Sequence, residues 1–224
     1  MKRLPGSIYF AAFMLVCSAG LAWDSISFKP PEVTSASEVQ YPVRSIADGV
    51  VVLEVSLDAN GGVAGMHVLR DIVSLTPAAI ASVQSWKFKP ASLKGMPHPS
   101  EMTIAVVFRP AGYLAAPPSF TPALPRIQSS SGGEPSYKPA GITSVAYPEY
   151  PVNSVLTCTV VVQLTINDAG KIEGTEVVRG VVPFTDFALG AAKRWEFQAA
   201  KLGQKTVASK VAIAFLFRPP LATQ

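Results

Sequence analysis

WKFKPASLKG occupies residues 86–95 and WEFQAAKLGQ residues 195–204. Both stretches follow a helix-like segment, and both write Trp-x-Phe-x-x-Ala-x-Leu. Set against itself at that 109-residue offset, the chain keeps matching far outside the motif. Ser27-Phe28-Lys29-Pro30 meets Ser136-Tyr137-Lys138-Pro139. Tyr41-Pro42-Val43 meets Tyr150-Pro151-Val152. Gly61 and Gly65 meet Gly170 and Gly174, and Phe108-Arg109-Pro110 meets Phe217-Arg218-Pro219. No gap is needed from 27 to 110 against 136 to 219, a register that chance does not hold. Self-similarity of this length marks a duplicated folding unit. The expected organisation is a leader (1–22), a first domain (27–110), a linker (111–135) and a second domain (136–219).

Composition agrees with folded domains. Of 224 residues, 49% are apolar and only 15% charged, which supplies a core and excludes a disordered chain. The formal net charge is +4, with no run of Lys or Arg, which excludes a nucleic-acid-binding stripe. Lys2 and Arg3 precede the apolar run Ile8–Ala22, and Gly20-Leu21-Ala22 sets small residues where a signal peptidase reads. Cleavage after Ala22 is expected. The run is short for a membrane span, which needs roughly 20 residues, and an uncleaved anchor is the alternative. Cys17 falls in the leader, so Cys158 is the single thiol of the exported chain and is read as a small strand residue.

Each copy reads as three strands and one helix. Val51, Leu53, Val55 and Leu57 share a face by the period of two, as do Val160, Val162, Leu164 and Ile166. Glu54, Ser56, Gln163 and Thr165 point the other way, so each strand is expected to have one side on a core. Asp58–Gly62 and Asn167–Lys171 read as hairpin loops. Calcium is not expected in them, because the copies do not share the carboxylates and no bidentate Glu follows. The returning strands are 63–70 and 172–179. Thr76 and Thr185 are expected helix N-caps, with Pro77 at the first helical position. Ala79, Ile80, Val83 and Trp86 form one helical stripe, repeated by Ala188, Leu189, Ala192 and Trp195. The Trp ends that stripe and the Phe two residues later plugs the same core, so the motif repeats because the fold does.

The closing strands are Glu101–Arg109 and Lys210–Arg218. Met102, Ile104, Val106 and Phe108 make one face, and in the second copy Ala212, Ala214 and Leu216 leave the opposite face apolar as well. The expected fold class is α+β: two tandem domains, each a small three-stranded antiparallel sheet packed by a helix. A closing strand at such a sheet's edge is either covered or offered to a partner. The linker, with five prolines and then Ser and Gly, reads as a spacer, reaching on the order of 75 Å at ~3.1 Å per residue. His67 and His98 are the only histidines, and each lacks a counterpart in the other copy (Glu176 and Val207). No nucleophile, base and orienter converge, so no enzyme, cofactor or metal is expected.

Tyr-Pro, a Gly-started strand, an Asp/Asn-Gly hairpin, a helix with Ala-x₆-Trp-x-Phe and a closing hydrophobic strand together resemble the C-terminal domain of TonB, over 41–110 and 150–219. The resemblance implies a Gram-negative periplasmic, non-enzymatic domain that binds a short peptide of an outer-membrane receptor by strand addition. Backbone hydrogen bonds give affinity in that mode and side-chain pockets give choice. It implies partner contacts on the closing strands, at Met102, Ile104, Val106, Val211, Ile213 and Phe215, and at Tyr41-Pro42 and Tyr150-Pro151. The expected function is an exported cell-envelope protein-binding module linked to TonB-type transport or receptor assembly. The alternative is a membrane-anchored TonB-type energy transducer. The short apolar stretch, the absence of a long Pro/Lys/Glu arm and the presence of two domains set this chain apart from a transducer.

Overall fold

The computed structural model describes residues 27–43, 45–110, 119–125, 136–151 and 154–219. The expected leader, and with it the cleavage site, lies outside these residues. Both repeats fold through the same sequence of elements. In the first, β1 (Phe28–Lys29) and β2 (Glu32–Ser35) precede the long strand β3 (Gly49–Leu57), its hairpin partner β4 (Val63–Arg70) and the helix α1 (Thr76–Gln84). Three short strands follow, β5 (Lys87–Lys89), β6 (Ala91–Leu93) and β7 (Met96–His98), and then the closing strand β8 (Ser100–Pro110). The second repeat runs β9 (Tyr137–Lys138), β10 (Gly141–Ser144), β11 (Cys158–Ile166), β12 (Ile172–Arg179), α2 (Phe184–Ala192), β13 (Glu196–Gln198), β14 (Ala200–Leu202), β15 (Lys205–Val207) and β16 (Ser209–Arg218).

The hairpins close as their residues dictate. Asp58 Oδ1 accepts the amides of Asn60 and Gly62 at 2.7 and 2.8 Å, and Asn167 Oδ1 accepts those of Ala169 and Lys171 at 3.0 and 2.9 Å. These are Asx turns, which a short side-chain oxygen makes two residues back from the amide it binds. Gly61 (φ +83) and Gly170 (φ +78) are required twice over. Their φ is left-handed, and a Cβ there would sit 2.4 Å from the Phe88 carbonyl oxygen or 2.7 Å from that of Phe197. The turn is thus pressed against the Trp-x-Phe strand. That Phe also pairs, Val33 with Phe88 and Ile142 with Phe197, in the two-stranded ladders β2–β5 and β10–β13. The helix caps differ from expectation. Leu75 and Pro183 hold the N-cap positions and make no side-chain cap. The hydroxyls of Thr76 and Thr185 turn back instead and accept the amides of Ile72 (3.0 Å) and Val181 (2.9 Å), bracing the loop that enters each helix.

The two copies do not form separate three-stranded sheets. Their long strands make one six-stranded sheet in the order β12-β11-β16-β8-β3-β4. The closing strands lie at its centre and pair with each other in parallel over eight positions, from Val211–Thr103 to Arg218–Pro110. Every other neighbour in this sheet is antiparallel. The register across the seam is shifted by one residue relative to the repeat. Ile104 corresponds to Ile213 in the duplication, yet it faces Ala212. Because side chains alternate along a strand, a shift of one exchanges faces. α1 therefore packs on one face of the shared sheet and α2 on the other.

This exchange explains strands that are buried on both sides, against the expected single buried face. One core joins α1 residues Ala79 and Val83 to Val51, Leu53, Met102 and Ile104, and includes Val161, Ala212, Ala214 and Leu216 of the second copy. The opposite core joins Ala188 and Ala192 of α2 to Val160, Val162, Ile213 and Phe215, and includes Val50, Val52, Ala105 and Val107 of the first. Leading segments complete the cover. Val33, Ala36 and Val39 lie in the first core beside the reverse of the second copy, and Tyr137, Ala140 and Ile142 do the same for the first. The equivalent rings of Phe28 and Tyr137 meet each other with centroids 4.6 Å apart and planes tilted by 39°. The linker does more than span distance. Ala123 is buried and bridges Ile142 with two backbone hydrogen bonds of 2.9 and 3.0 Å.

Since each core contains residues of both copies, the repeats should unfold together. Ile213→Ala removes buried apolar volume worth about 2–5 kcal/mol. Trp86 and Trp195 report one copy each. Chemical denaturation should show both in a single transition, and the substitution should lower both midpoints together. Two separate transitions, with only that of Trp195 displaced, would contradict a shared core.

Candidate functional site: the seam and the open edges of the sheet

The expected partner-binding residues divide into two groups. Met102, Ile104, Val106, Val211, Ile213 and Phe215 are all fully buried. β8 is hydrogen-bonded to β3 and β16, and β16 to β11 and β8, so neither closing strand has a free edge. The expectation of an open closing strand is overturned here for a physical reason. Each copy covers the other's unpaired edge and apolar reverse face. Tyr41, Pro42, Tyr150 and Pro151 lie on the loops that lead into β3 and β11. The Tyr41 hydroxyl donates to the Ala47 carbonyl, and the Tyr150 hydroxyl donates to that of Leu156 at 3.0 Å. The Arg218 guanidinium lies 4.9 Å from the Tyr41 ring centroid, tying the end of the second copy to the first. These tyrosines hold loops closed, and Tyr41 does so at the seam.

The polar chemistry of the seam is asymmetric, and sequence reasoning passed over it. On one side Lys210 meets Glu32 of the first copy at 3.1 Å and Glu176 at 3.8 Å. Gln163 Oε1 accepts the Val33 amide at 2.7 Å, and Gln163 Nε2 donates to Glu176 at 3.2 Å. Burial acts to raise the Glu32 pKa, but the Lys210 and Lys89 ammonium groups outweigh it and hold the carboxyl below its ordinary value. At the equivalent place on the other side the duplication puts Glu101 for Lys210 and Glu54 for Gln163. Burial, then the nearby charge of Glu54, push Glu101 up to about 7, partly offset by its own backbone amide and His98. Tyr137 of the second copy is buried beside it, and burial and the Glu101 charge raise its phenol above the ordinary range. Thr103 closes this side by donating to the Ala140 carbonyl at 2.7 Å. A comparison of the reverse-face residues of both copies was the signal available in the sequence.

Among the described residues, the open edges of the six-stranded sheet are β4 and β12. They differ in charge. β12 carries Glu173, Glu176 and Arg179, and the last pairs with Glu38 of the first copy at 2.8 Å. From Ala64 to Leu69, β4 has no Asp, Glu, Lys or Arg. Charged side chains guard an edge against addition of a strand, so β4 is the less guarded. Met66 and Val68 pack against the core on the α1 side and Leu69 against the opposite core, so both sides of this edge are backed by apolar structure.

Other sequence candidates take structural places. Cys158 is buried, and burial, with Glu38 adding to it, pushes its thiol up to about 11. Nδ1–H of His98 donates to the Pro99 carbonyl at 2.6 Å, and His67 lies on the β4 edge opposite Glu54. No set of three His, Cys, Asp or Glu side chains gathers to hold a metal ion among the described residues. No helix among those residues is long and apolar enough to cross a membrane, which says nothing of β-barrels.

The geometry defines a class of protein: a duplicated strand-pairing module whose copies have satisfied each other's closing strands. Comparison with known families gives that class its name. Residues 37–110 and 143–219 each match the Gram-negative bacterial TonB protein C-terminal family, and the chain belongs to it. Domains of this family are non-enzymatic protein-interaction units of the Gram-negative periplasm and envelope. Comparison with curated proteins and with solved structures found no match.

The raised Glu101 carboxyl has a directional consequence. The native state holds this proton more tightly than the unfolded chain does, so it binds more protons between the ordinary value of 4.5 and about 7. Stability should fall as pH rises through that window, with the loss complete above it. Melting temperature from pH 5 to pH 8.5 should show the decline, and Glu101→Gln should flatten it. A decline of equal size in that variant would assign it elsewhere. The Cys158 thiol should react with an aromatic disulfide reagent far more slowly in the native protein at pH 8 than in denaturant. Equal rates would contradict its burial.

Proposed function

We propose that this chain is an exported, non-catalytic adaptor of the Gram-negative cell envelope. It binds an extended segment of an envelope or outer-membrane protein by strand addition and serves TonB-type transport or receptor assembly. The observation that supports this reading most is the combination of a family built for strand pairing with an outer strand, β4, that is eight residues long and lightly charged. The closing strands are engaged with one another, so the docking surface moves outward to β4. A partner strand there continues the sheet, and its alternate side chains meet Met66 and Val68 on the α1 side. The backbone supplies affinity and these positions supply choice. The alternative, a membrane-anchored transducer, shares the domain but retains the apolar segment Ile8–Ala22 as a span.

Along an edge strand, successive N–H groups point alternately to the neighbouring strand and outward. His67→Pro and Val68→Pro therefore make a matched pair. One removes an outward N–H and leaves the fold intact, while the other removes a ladder bond and destabilises the hairpin. Photo-crosslinkers at Ala64 and Met66 should capture an outer-membrane receptor segment in intact cells, and the outward proline should abolish capture without lowering the melting temperature. Capture that persists in both proline variants would overturn the β4 assignment. Intact mass of the protein from cells separates adaptor from transducer: a chain starting at Trp23 supports export, and retention of Met1–Ala22 in the membrane fraction supports the transducer.

A further inference from the structure

The second copy has a cleft that the first copy does not match in charge. It encloses about 530 Å³ between the β11–β12 turn and the end of α2. Its lining includes Lys171 from the turn, Lys193 and Arg194 from the end of the helix, and Trp195 and Phe197 beneath them. Glu196 is the acid on this lining. Among the described residues, none of the three cations takes part in an ion pair. The walls are fixed. Lys171 N–H donates to Asn167 Oδ1 at 2.9 Å, Gly170 is pressed onto the Phe197 carbonyl, and the Trp195 indole donates to the Ala146 carbonyl at 2.8 Å. Arg194 is steadied by a bond of 3.2 Å to the Tyr147 carbonyl.

The duplication supplies an internal control. The equivalents of Lys171, Lys193 and Arg194 are Gly62, Gln84 and Ser85, all uncharged. Cations at the end of a helix favour its C-terminal dipole, and that effect alone would explain Lys193 and Arg194. Yet α1 has the same length, ends within one residue of the corresponding position and does without them. Lys171 lies on the turn, outside any helix, and converges on the same cleft. Three cations with no anionic partner, set around a concave site with an aromatic floor, match a ligand that brings the missing charge. We propose that this cleft binds a small oxyanion, a ligand bearing carboxylate or phosphate groups, in the second copy alone. This inference is independent of strand addition at β4, which lies in the first copy.

The test uses the purified protein with two probes, inorganic pyrophosphate and tricarballylate, at physiological ionic strength. Backbone amide shifts are followed by NMR, because Gly170 and Lys171 report the cleft and Gly61 and Gly62 report the corresponding place in the first copy, where Lys87 is the lone cation among the equivalents of its charged residues. Saturable shifts at Gly170 and Lys171 with one or both probes, and none at Gly61 and Gly62, are expected. The probe that binds assigns the oxyanion class. The combined substitution Lys171→Gln, Lys193→Gln, Arg194→Gln should weaken binding by about tenfold or more, as loss of charge-assisted hydrogen bonds requires. Lys87→Gln, Lys201→Gln, Lys205→Gln removes the same charge at exposed sites outside the cleft and should leave binding unchanged. Absence of saturable shifts with both probes, equal shifts in the two copies, or equal loss in the two triple variants would overturn the proposal.

Discussion

The parallel pairing of the two closing strands, offset by one residue from the repeat, is the constraint on which the rest of the structure depends. A lone three-stranded copy would leave β8 or β16 with one unpaired edge and one apolar face in water. An unpaired strand edge invites association, and an exposed apolar face costs roughly 25 cal/mol per Å² left uncovered. Joining two copies edge to edge satisfies the backbone of both strands. The offset then matters as much as the pairing. With Ile104 opposite Ile213, both helices would fall on the same face and the other face would stay bare. With Ile104 opposite Ala212, each face receives one helix and one leading segment.

Small residues make the arrangement fit. Ala212 and Ala214 lie on the reverse face of β16, and Ala105 on that of β8. They leave room for leading segments that close over them, with Val33 and Val39 on one face and Ala140 and Ile142 on the other. The hydrogen bonds across copies follow the same logic. Gln163 and Thr159, on the reverse face of β11, accept the amides of Val33 and Val39 at 2.7 and 3.0 Å, satisfying leading-segment donors that burial would otherwise orphan. The copies differ at such places. Glu54 and Glu101 stand where the second copy has Gln163 and Lys210, so one side of the seam is an ion-paired clamp and the other a carboxyl site whose proton is held near neutrality.

For function, the consequence is a redistribution of surfaces. The strand that the family resemblance marks for partner contact is interior, and the outer strand β4 is the lightly charged edge. Tandem duplication has therefore exchanged two potential docking edges at the closing strands for one continuous sheet with edges at β4 and β12. The second copy has also gained a cationic cleft beside Trp195 without any change in its elements. Duplication permits this, because one copy can keep the packing pattern while the other varies its exposed positions.

The sequence by itself determined the duplication, the long strands, the existence and place of both helices though not their caps, the turn glycines and the packing role of the Trp-x-Phe motif. Each of these rests on local geometry: a period of two, a period of 3.6, or a left-handed φ that glycine alone adopts without strain. It also displayed, in Ala212, Ala214 and Leu216, a second apolar face that required a cover. What covers that face was decided only by tertiary structure. The identity of neighbours across a sheet depends on register between segments about a hundred residues apart, and either alternating face of a strand can be turned inward by a shift of one residue. No periodicity within a strand encodes that choice. It emerges from the summed fit of two cores, which is why the closing strands read as edges in the sequence and stand at the centre in the fold.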